Sequence, residues 1–294
     1  MNPELVNKIK RIALIALASD DGLVEGLVLK GGNAIEIAYT PNHNSISRAS
    51  YDLDYSIEGG DFNEDELIIS KRIEDTLVQT FLEYGYMIID YKFINRPRII
   101  REELADFWGG YKVEFKVIDK NIFEKHIGDI DKLRRVSIPV NPDNSPIFEL
   151  EFSKFEFVGD KVAVDVDGFK IYVYTPQMIV FEKLRAICQQ IPDYKEVIPS
   201  FSPRARARDF YDIHLIMDML QINPNISENK ELIQNIFQAK KVPLSYIIKI
   251  REYKTTHIDN WQSVQDTVSP TETLQPFDFY FNYVMDMFEN ITFP

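Results

Sequence analysis

Two short motifs near the start of the chain carry residue types that phosphate and metal chemistry require. Lys30-Gly31-Gly32-Asn33 follows an apolar run, and Asp52 and Asp54 flank a leucine further along. A strand that ends in two glycines before a helix presents free backbone N–H groups and the positive end of a helix dipole to an anion. Two carboxylates on one face of a strand lie about 7 Å apart and favour a cation between them. The pair of motifs indicates a phosphate-binding turn beside a divalent-cation site.

Each motif read alone has a simpler structural explanation. Lys30-Gly31-Gly32 also fits a plain turn from strand to helix, with Asn33 as the N-cap of a helix that continues through Tyr39. Asp52 and Asp54 also fit a solvated strand end in an acidic protein. Short motifs of this kind carry a real risk of false matches, so further residues are needed.

A later strand with two acidic residues supplies such further residues. Ile147–Ser153 alternates as a strand should and places Glu149 and Glu151 on one face. A phosphoryl-transfer site with two metals generally takes a third carboxylate from a neighbouring strand, which completes the coordination and activates the attacking hydroxyl. We predict Glu151 in this role, with Glu149 as the reserve.

Composition limits the metal and the substrate. The chain of 294 residues has four scattered histidines and one cysteine, so the usual spacings build neither a zinc site nor a disulfide framework. The predicted metal is therefore oxygen-ligated Mg²⁺ or Mn²⁺. A formal net charge of −13 repels a polyphosphate backbone at long range, so a polynucleotide substrate needs a local basic patch. Arg204, Arg206 and Arg208 are predicted to supply it.

The start of the chain favours a cytoplasmic protein. The apolar run Ile12–Ala18 is far shorter than the roughly 20 residues of a membrane-spanning helix, and it is predicted to be part of a buried first helix. Met1–Glu4 lacks the basic opening of a signal peptide, and a lone Cys188 agrees with a reducing compartment.

The elements that must position these residues follow from hydrophobic periodicity. We predict strands at 27–29, 51–57, 86–94, 111–118 and 147–153, and a hairpin of 161–164 with 170–174. A capping box of Asn63 and Glu66 is predicted to open a helix to Glu83 with Leu67, Ile73, Leu77 and Phe81 on its buried stripe. The charged positions Lys112, Glu114 and Lys116 fit a solvated sheet face. Further helices are predicted at 5–19, 120–136, 175–190, 209–220, 227–239, 242–253 and 275–290.

The pattern changes from mostly strands to helices near residue 175. It predicts an α+β fold with a mixed sheet flanked by helices in a first lobe, 1–175, and a helical C-terminal lobe, 176–294. Functional sites often lie between two such lobes, so the second lobe is expected to contribute to a cleft.

Five motifs in this order resemble the AbiEii/AbiGii family of nucleotidyltransferase toxins, within the DNA polymerase beta-like nucleotidyltransferase superfamily. The resemblance spans roughly residues 25 to 220. The motifs are Leu29–Ala34, Asp52–Tyr55, Trp108–Phe115, Tyr174–Ala186 and Arg206–Asp212. Lys30-Gly31-Gly32 departs from the Gly-Ser of the wider superfamily, and Glu151 stands where an Asp is expected.

The resemblance implies the toxin half of a toxin–antitoxin or abortive-infection pair, which transfers a nucleotide from an NTP with tRNA as the favoured acceptor and an antitoxin as partner. It matches Asp52 and Asp54 to the metal-binding pair and Lys183 to the lysine of the family's helix motif. It matches Asp209 or Asp212 to the last acidic motif, and Arg48 to an arginine before the Asp pair.

The predicted site follows from both lines of reasoning. Its catalytic residues are Asp52, Asp54, Glu151, Lys183 and Asp212, with Asp52, Asp54 and Glu151 at the metal. Its substrate-binding residues are Lys30, Gly31, Gly32, Asn33, Arg48, Arg208 and Asp209. Lys183 is expected to neutralise charge on the leaving pyrophosphate.

Two other functions remain open from the sequence. A protein of the same fold that has lost the chemistry would act by binding a nucleotide or a partner, and the Glu at position 151 favours this alternative. Transfer to a protein side chain or a small cationic acceptor is the other, because a net acidic chain attracts cations.

Overall fold

The structure is a computed structural model that describes residues 2–39, 52–268 and 273–294. The chain divides into two compact units: the first comprises Met1–Ile37 and Ser50–Val173, and the second comprises Ala38–Ala49 and Tyr174–Pro294. Within the described ranges, no helix combines the length and the apolar character that crossing a membrane requires.

The first unit is built on a mixed sheet of seven strands. The strands are β1 (Leu27–Lys30), β2 (Leu53–Ile57), β3 (Tyr86–Arg96), β4 (Gly110–Asp119), β5 (Phe148–Ser153), β6 (Val162–Val166) and β7 (Phe169–Val173). The helices are α1 (Pro3–Ala18), α2 (Asp21–Gly26), α3 (Gly31–Tyr39), α4 (Glu66–Glu83), α5 (Lys120–Lys125) and α6 (Ile130–Arg135), and the last two residues of α3 belong to the second unit. The predicted α+β class is confirmed.

The strand order is β3-β4-β5-β2-β1-β7-β6, which makes β3 and β6 the edges. β2 pairs with β5 in parallel and β1 pairs with β7 in parallel, whereas the other pairs are antiparallel. The acid-bearing strands β2 and β5 are therefore direct neighbours at the centre of the sheet, although the sequence separates them by two strands.

One face of the sheet is the hydrophobic core of the first unit. Leu53, Leu150 and Val113 are fully buried on β2, β5 and β4, since these strands alternate apolar and polar side chains. Helix α4 covers this face: its Phe81 ring lies 5.6 Å from that of Phe115 on β4. Helix α1 packs against α4 and against β7. The opposite face carries the charged positions of the same strands.

The second unit is helical in its described part. Its helices are α7 (Pro176–Cys188), α8 (Ala207–Leu220), α9 (Ser227–Ala239), α10 (Tyr246–Lys249), α11 (Lys254–Ile258), α12 (Trp261–Gln265) and α13 (Phe277–Phe288). Thr175 caps α7 by accepting a hydrogen bond from the backbone N–H of Met178, as the Thr-Pro pair predicts. Helix α8 packs against α7, α12 and α13.

Some local predictions require correction. Asp65, not Asn63, caps α4, because the Asp65 carboxylate accepts from the Leu67 N–H. Leu67 is 80% exposed, and Ile69 takes its place in the buried stripe. Helix α3 begins at Gly31, so Asn33 lies inside the first turn rather than at the N-cap. The Asp167-Gly168 turn has positive φ at both residues, which is the tight primed turn predicted for the β6–β7 hairpin.

Strands β4 and β5 approach so closely at Gly110 that adding a methyl group there is expected to destabilise the protein. A Cβ on Gly110 would lie 2.3 Å from the carbonyl oxygen of Phe152, a backbone atom that cannot move aside. We expect Gly110→Ala to cost about 2–3 kcal/mol as overpacking, and to lower the thermal midpoint by roughly 5 °C or more. Gly26→Ala is the matched control, since a Cβ there meets nothing within 4 Å. Equal midpoints in calorimetry for the two variants would contradict this account.

Candidate functional site

Strand register places four charged side chains in one row across the polar face. Lys30 of β1 is opposite Asp54 of β2, Asp54 is opposite Glu151 of β5, and Glu151 is opposite Lys112 of β4. Residues paired in register project from the same face of a sheet. The structure therefore places Asp54 and Glu151 on neighbouring strands, with a lysine on each side of the acidic pair.

Gly31 joins this row to the start of helix α3. Its φ of +69° lies in the left-handed region, which favours glycine. A Cβ on Gly31 would also lie 3.2 Å from Oδ2 of Asp54, so a larger residue would crowd the carboxylate. The turn thus brings the first amides of α3 close to Asp54. Amides in the first turn of a helix have no intrahelical acceptor, which makes them suitable donors to an anion.

The side chain of Asn33 is used inside the protein. It is buried; its Nδ2 donates to the Asp52 carbonyl oxygen at 2.6 Å, and its Oδ1 accepts from Nζ of Lys10 at 3.1 Å. These bonds connect α1, α3 and the segment that enters β2. Asn33 therefore holds the Asp52 segment in place, and both ends of its side-chain amide are engaged inside the protein.

Asp52 precedes β2 on the polar face and has an altered acidity. Burial, followed by the charges of Glu149 and Glu151, raises the pKa of Asp52 from 3.8 to about 6, against the opposing effect of Lys112. A carboxylate in this position is costly to ionise without a nearby positive charge. A cation at the site would remove that cost.

Lys112 corrects one prediction, because it is buried rather than part of a solvated face. Its Nζ lies 2.8 Å from Glu149 and 2.6 Å from Glu114. Burial lowers the pKa of Lys112, but the hydrogen bonds to both glutamates outweigh burial and raise its pKa overall. In the sequence, Lys112 only alternates with Glu114 along one predicted strand. That pattern does not show that β5 is the neighbouring strand and brings Glu149 close to Lys112.

The two acidic residues of β5 differ in their surroundings. Glu149 accepts a hydrogen bond from Lys112, whereas Glu151 is exposed and in register with Asp54. Lys30 donates to Ser153 Oγ at 3.1 Å and lies 3.9 Å from Glu156. The exposed carboxylate beside Asp54 is therefore that of Glu151, which stays the predicted third carboxylate.

The second unit contains a separate cluster of predicted residues. Lys183 of α7 lies 3.1 Å from Asp209 and 2.7 Å from Asp212, which share one face of α8. Arg206 Nε lies 2.6 Å from the other oxygen of Asp209. The structure brings Lys183, Asp209 and Asp212 together as an ion-pair network within this unit.

The predicted arginines are in different surroundings. Arg208 donates to Ser263 Oγ at 3.1 Å and Arg206 pairs with Asp209, whereas Arg204 is exposed. Two of the three arginines are thus engaged inside the unit, which limits the basic patch expected of them. Arg48 lies outside the described residues.

The donor set of the polar face suits a hard cation. Among the residues that the structure describes, no three His, Cys, Asp or Glu side chains are grouped closely enough to hold a metal ion. Magnesium, however, usually binds through one or two carboxylates together with substrate phosphates and water, not in an all-protein cage. Asp52 and Asp54, with the raised pKa of Asp52, fit that mode of binding.

Comparison with known proteins assigns the chain to a family. The family model described as "Nucleotidyl transferase AbiEii toxin, Type IV TA system" matches residues 12–283. The chain belongs to this AbiEii family, as its motifs indicated, and is thus a member of a nucleotidyltransferase toxin family. No curated protein matches it significantly.

Solved structures from one organism are similar over nearly the whole chain. One is a protein from H. pylori provisionally assigned as a nucleotidyltransferase, at 14% identity, 98% coverage of this chain, 95% coverage of that chain and a TM-score of 0.49. Another is JHP933 from Helicobacter pylori, at 14% identity, 98% and 92% coverage and a TM-score of 0.48.

His257 is a buried residue beside the Lys183 cluster that the predicted site did not include. It is fully buried, its ring lies 5.2 Å from that of Phe210, and neither ring nitrogen has a hydrogen-bond partner among the described residues. Burial lowers its pKa from 6.5 to about 4, with Asp209 opposing the shift and Arg206 adding to it. His257 is therefore an uncharged core residue near neutral pH.

This depressed pKa predicts a pH-dependent stability. The unfolded chain protonates His257 below pH 6.5, whereas the folded chain protonates it only near pH 4. The free energy of unfolding therefore falls as the pH drops from 6.5 to about 4. The loss amounts to about 2 kcal/mol at pH 5. We expect His257→Phe, which keeps a ring against Phe210, to reduce the fall in thermal midpoint between pH 7.5 and pH 5.

His126→Gln, in the first unit, controls for the loss of a histidine and is expected to retain the wild-type fall. An unchanged pH dependence in His257→Phe would show that this residue takes up its proton as readily when folded as when unfolded.

Proposed function

We propose that the chain is a metal-dependent nucleotidyltransferase, the toxin of a toxin–antitoxin pair, that transfers a nucleotide from an NTP to an RNA acceptor, with tRNA favoured. The observation that carries the proposal is the row of Asp54 and Glu151 beside the Gly31 turn, next to Asp52 with its raised pKa. Membership of the AbiEii family supports the same reaction class.

Each residue of the polar face has a role in this proposal. Asp52 and Asp54 would hold Mg²⁺ or Mn²⁺, and a cation bound there would neutralise charge on the NTP phosphates. The backbone amides at Gly31 and Gly32 donate to a phosphate at the start of α3. Lys30 adds positive charge on the same face, and Asn33 holds the Asp52 segment in place.

Glu151 is proposed as the base. An acceptor hydroxyl oxygen forms a bond to the α-phosphorus, the bond from that phosphorus to the β-phosphate oxygen breaks, and pyrophosphate leaves. The hydroxyl proton passes to the Glu151 carboxylate. Positioning and electrostatics supply most of the acceleration in such transfers. Lys183, Arg208, Asp209 and Asp212 remain predicted site residues of the second unit.

The decisive experiment follows labelled phosphate. Purified protein is incubated with each α-labelled NTP, magnesium or manganese, and total cellular RNA or lysate. Label in RNA supports the proposal, and label in tRNA identifies the favoured acceptor. Label in protein or in a small amine favours the alternative acceptors. NTP binding without transfer under all conditions would identify a binding protein that has lost the chemistry.

We expect Asp54→Ala to abolish transfer while the thermal midpoint stays close to that of the wild type, because Asp54 is a half-buried side chain on the polar face. Asp160→Ala removes an exposed carboxylate of the same unit and is the matched control. It should retain full activity. Transfer by a folded Asp54→Ala protein would overturn the mechanism.

The two glutamates of β5 can be distinguished in the same assay. We expect Glu151→Gln to lower kcat by roughly 10²–10³-fold, in the range for loss of a general base. Glu149→Gln should have a much smaller effect, since Lys112 retains its contact with Glu114. The reverse order of effects would transfer the role of third carboxylate to Glu149.

A further inference from the structure

The polar face of the sheet continues beyond the carboxylates to the edge strand β3. Lys92 is opposite Glu114 of β4, Ile94 is opposite Lys112, and Arg96 is opposite Gly110. Lys112 is in turn opposite Glu151. Because paired residues project from one face, Lys92, Ile94 and Arg96 share the face of Asp54 and Glu151.

A cavity of about 550 Å³ opens at this edge, and its size lies within the range of ligand sites. Its lining combines cationic, apolar and aromatic side chains with a single carboxylate. The lining residues are Lys92, Phe93, Ile94, Arg96, Arg98 and Glu114.

The charge of the cavity is strongly positive for a chain with a net charge of −13. Neither Arg96 nor Arg98 is in a salt bridge with another residue in the described part of the chain. The carboxylate of Glu114 lies 2.6 Å from Lys112, so its charge is compensated from within the sheet. Lys92 is 3.9 Å from Glu114 and largely exposed, which leaves this lysine weakly paired.

We propose that this cavity binds the phosphodiester backbone of the single-stranded RNA acceptor. Arginine guanidinium groups bind phosphate through two parallel hydrogen bonds, and the lining offers Arg96, Arg98 and Lys92 to successive phosphates of one strand. The inference rests on the proposed function, since it identifies the path of the acceptor to the same sheet face.

The position of the cavity favours the acceptor over the NTP. The Gly31 turn follows β1, which lies on one side of β2, whereas β5, β4 and β3 lie on the other side. Three strand spacings separate β3 from β2, which is about 14 Å. That distance corresponds to roughly four nucleotides stacked at helical spacing. An RNA strand held at β3 can therefore extend its end to Asp54 and Glu151.

Binding of a short fluorescein-labelled single-stranded RNA, measured by anisotropy over a range of salt concentrations, tests the inference. The variant is Arg96→Gln with Arg98→Gln. Lys125→Gln with Arg135→Gln is the matched control, because it removes two exposed positive charges from α5 and α6 of the same unit. Binding of a fluorescent NTP analogue and of polyglutamate is measured in parallel.

We expect the Arg96/Arg98 variant to bind RNA at least about tenfold more weakly, and the slope of log Kd against log salt to fall by about 1.4, for two lost phosphate contacts. NTP binding should be unchanged, and the control should match the wild type. Unchanged RNA binding overturns the inference, as does a wild type that binds no RNA. If the Arg96/Arg98 variant loses NTP binding, the cavity binds the triphosphate and the inference is wrong. If the variant loses only polyglutamate binding, the cavity binds an acidic protein and the inference is also wrong.

These readouts need no catalysis, so the two proposals can fail separately. RNA binding that depends on Arg96 and Arg98 in a protein without transfer activity would keep this inference and reject the transferase. Transfer activity together with RNA binding that does not depend on Arg96 or Arg98 would keep the transferase proposal and reject this inference.

Discussion

The pairing register of four strands is the constraint on which the polar face depends. Side chains alternate between the two faces of a strand, so a slip of one residue would move Asp54 or Glu151 into the hydrophobic core and expose Leu53 or Leu150. The buried apolar side chains therefore fix the positions of the charged ones. The positions of the charged side chains are therefore determined by the hydrophobic core on the other face, because the packing of α4 against the sheet decides which side chains face outward.

Gathering carboxylates on one face has an electrostatic cost that the structure only partly offsets. Lys30 and Lys112 flank Asp54 and Glu151, and Lys112 also contacts Glu149 and Glu114. Asp52 retains a pKa of about 6 in spite of Lys112. The remaining repulsion is free energy that binding of a cation would release, so the same arrangement that destabilises the protein slightly would increase its affinity for metal.

The sequence predicted the features that depend on local pattern. Period-two alternation located the strands, the Asp-Gly pair located the β6–β7 turn, and Thr175-Pro176 located the start of α7. Strand order was not predictable, because pairing between β2 and β5 is decided by tertiary packing rather than by either strand. The burial of Lys112 and the internal bonds of Asn33 were missed for the same reason, since their partners are distant in sequence.

The Lys183 cluster shows why a matched motif does not by itself fix a chemical role. Lys183 and Arg206 carry two positive charges and Asp209 and Asp212 carry two negative ones, so the cluster has no net charge. Lys183 is largely buried between its two carboxylates, and a polyphosphate would have to compete with both for the ammonium group. The same ion pairs join α7 to α8. Loss of Lys183 would therefore remove a cation shared by Asp209 and Asp212, with Asp209 still paired to Arg206, and any effect on activity has to be separated from an effect on the packing of these helices.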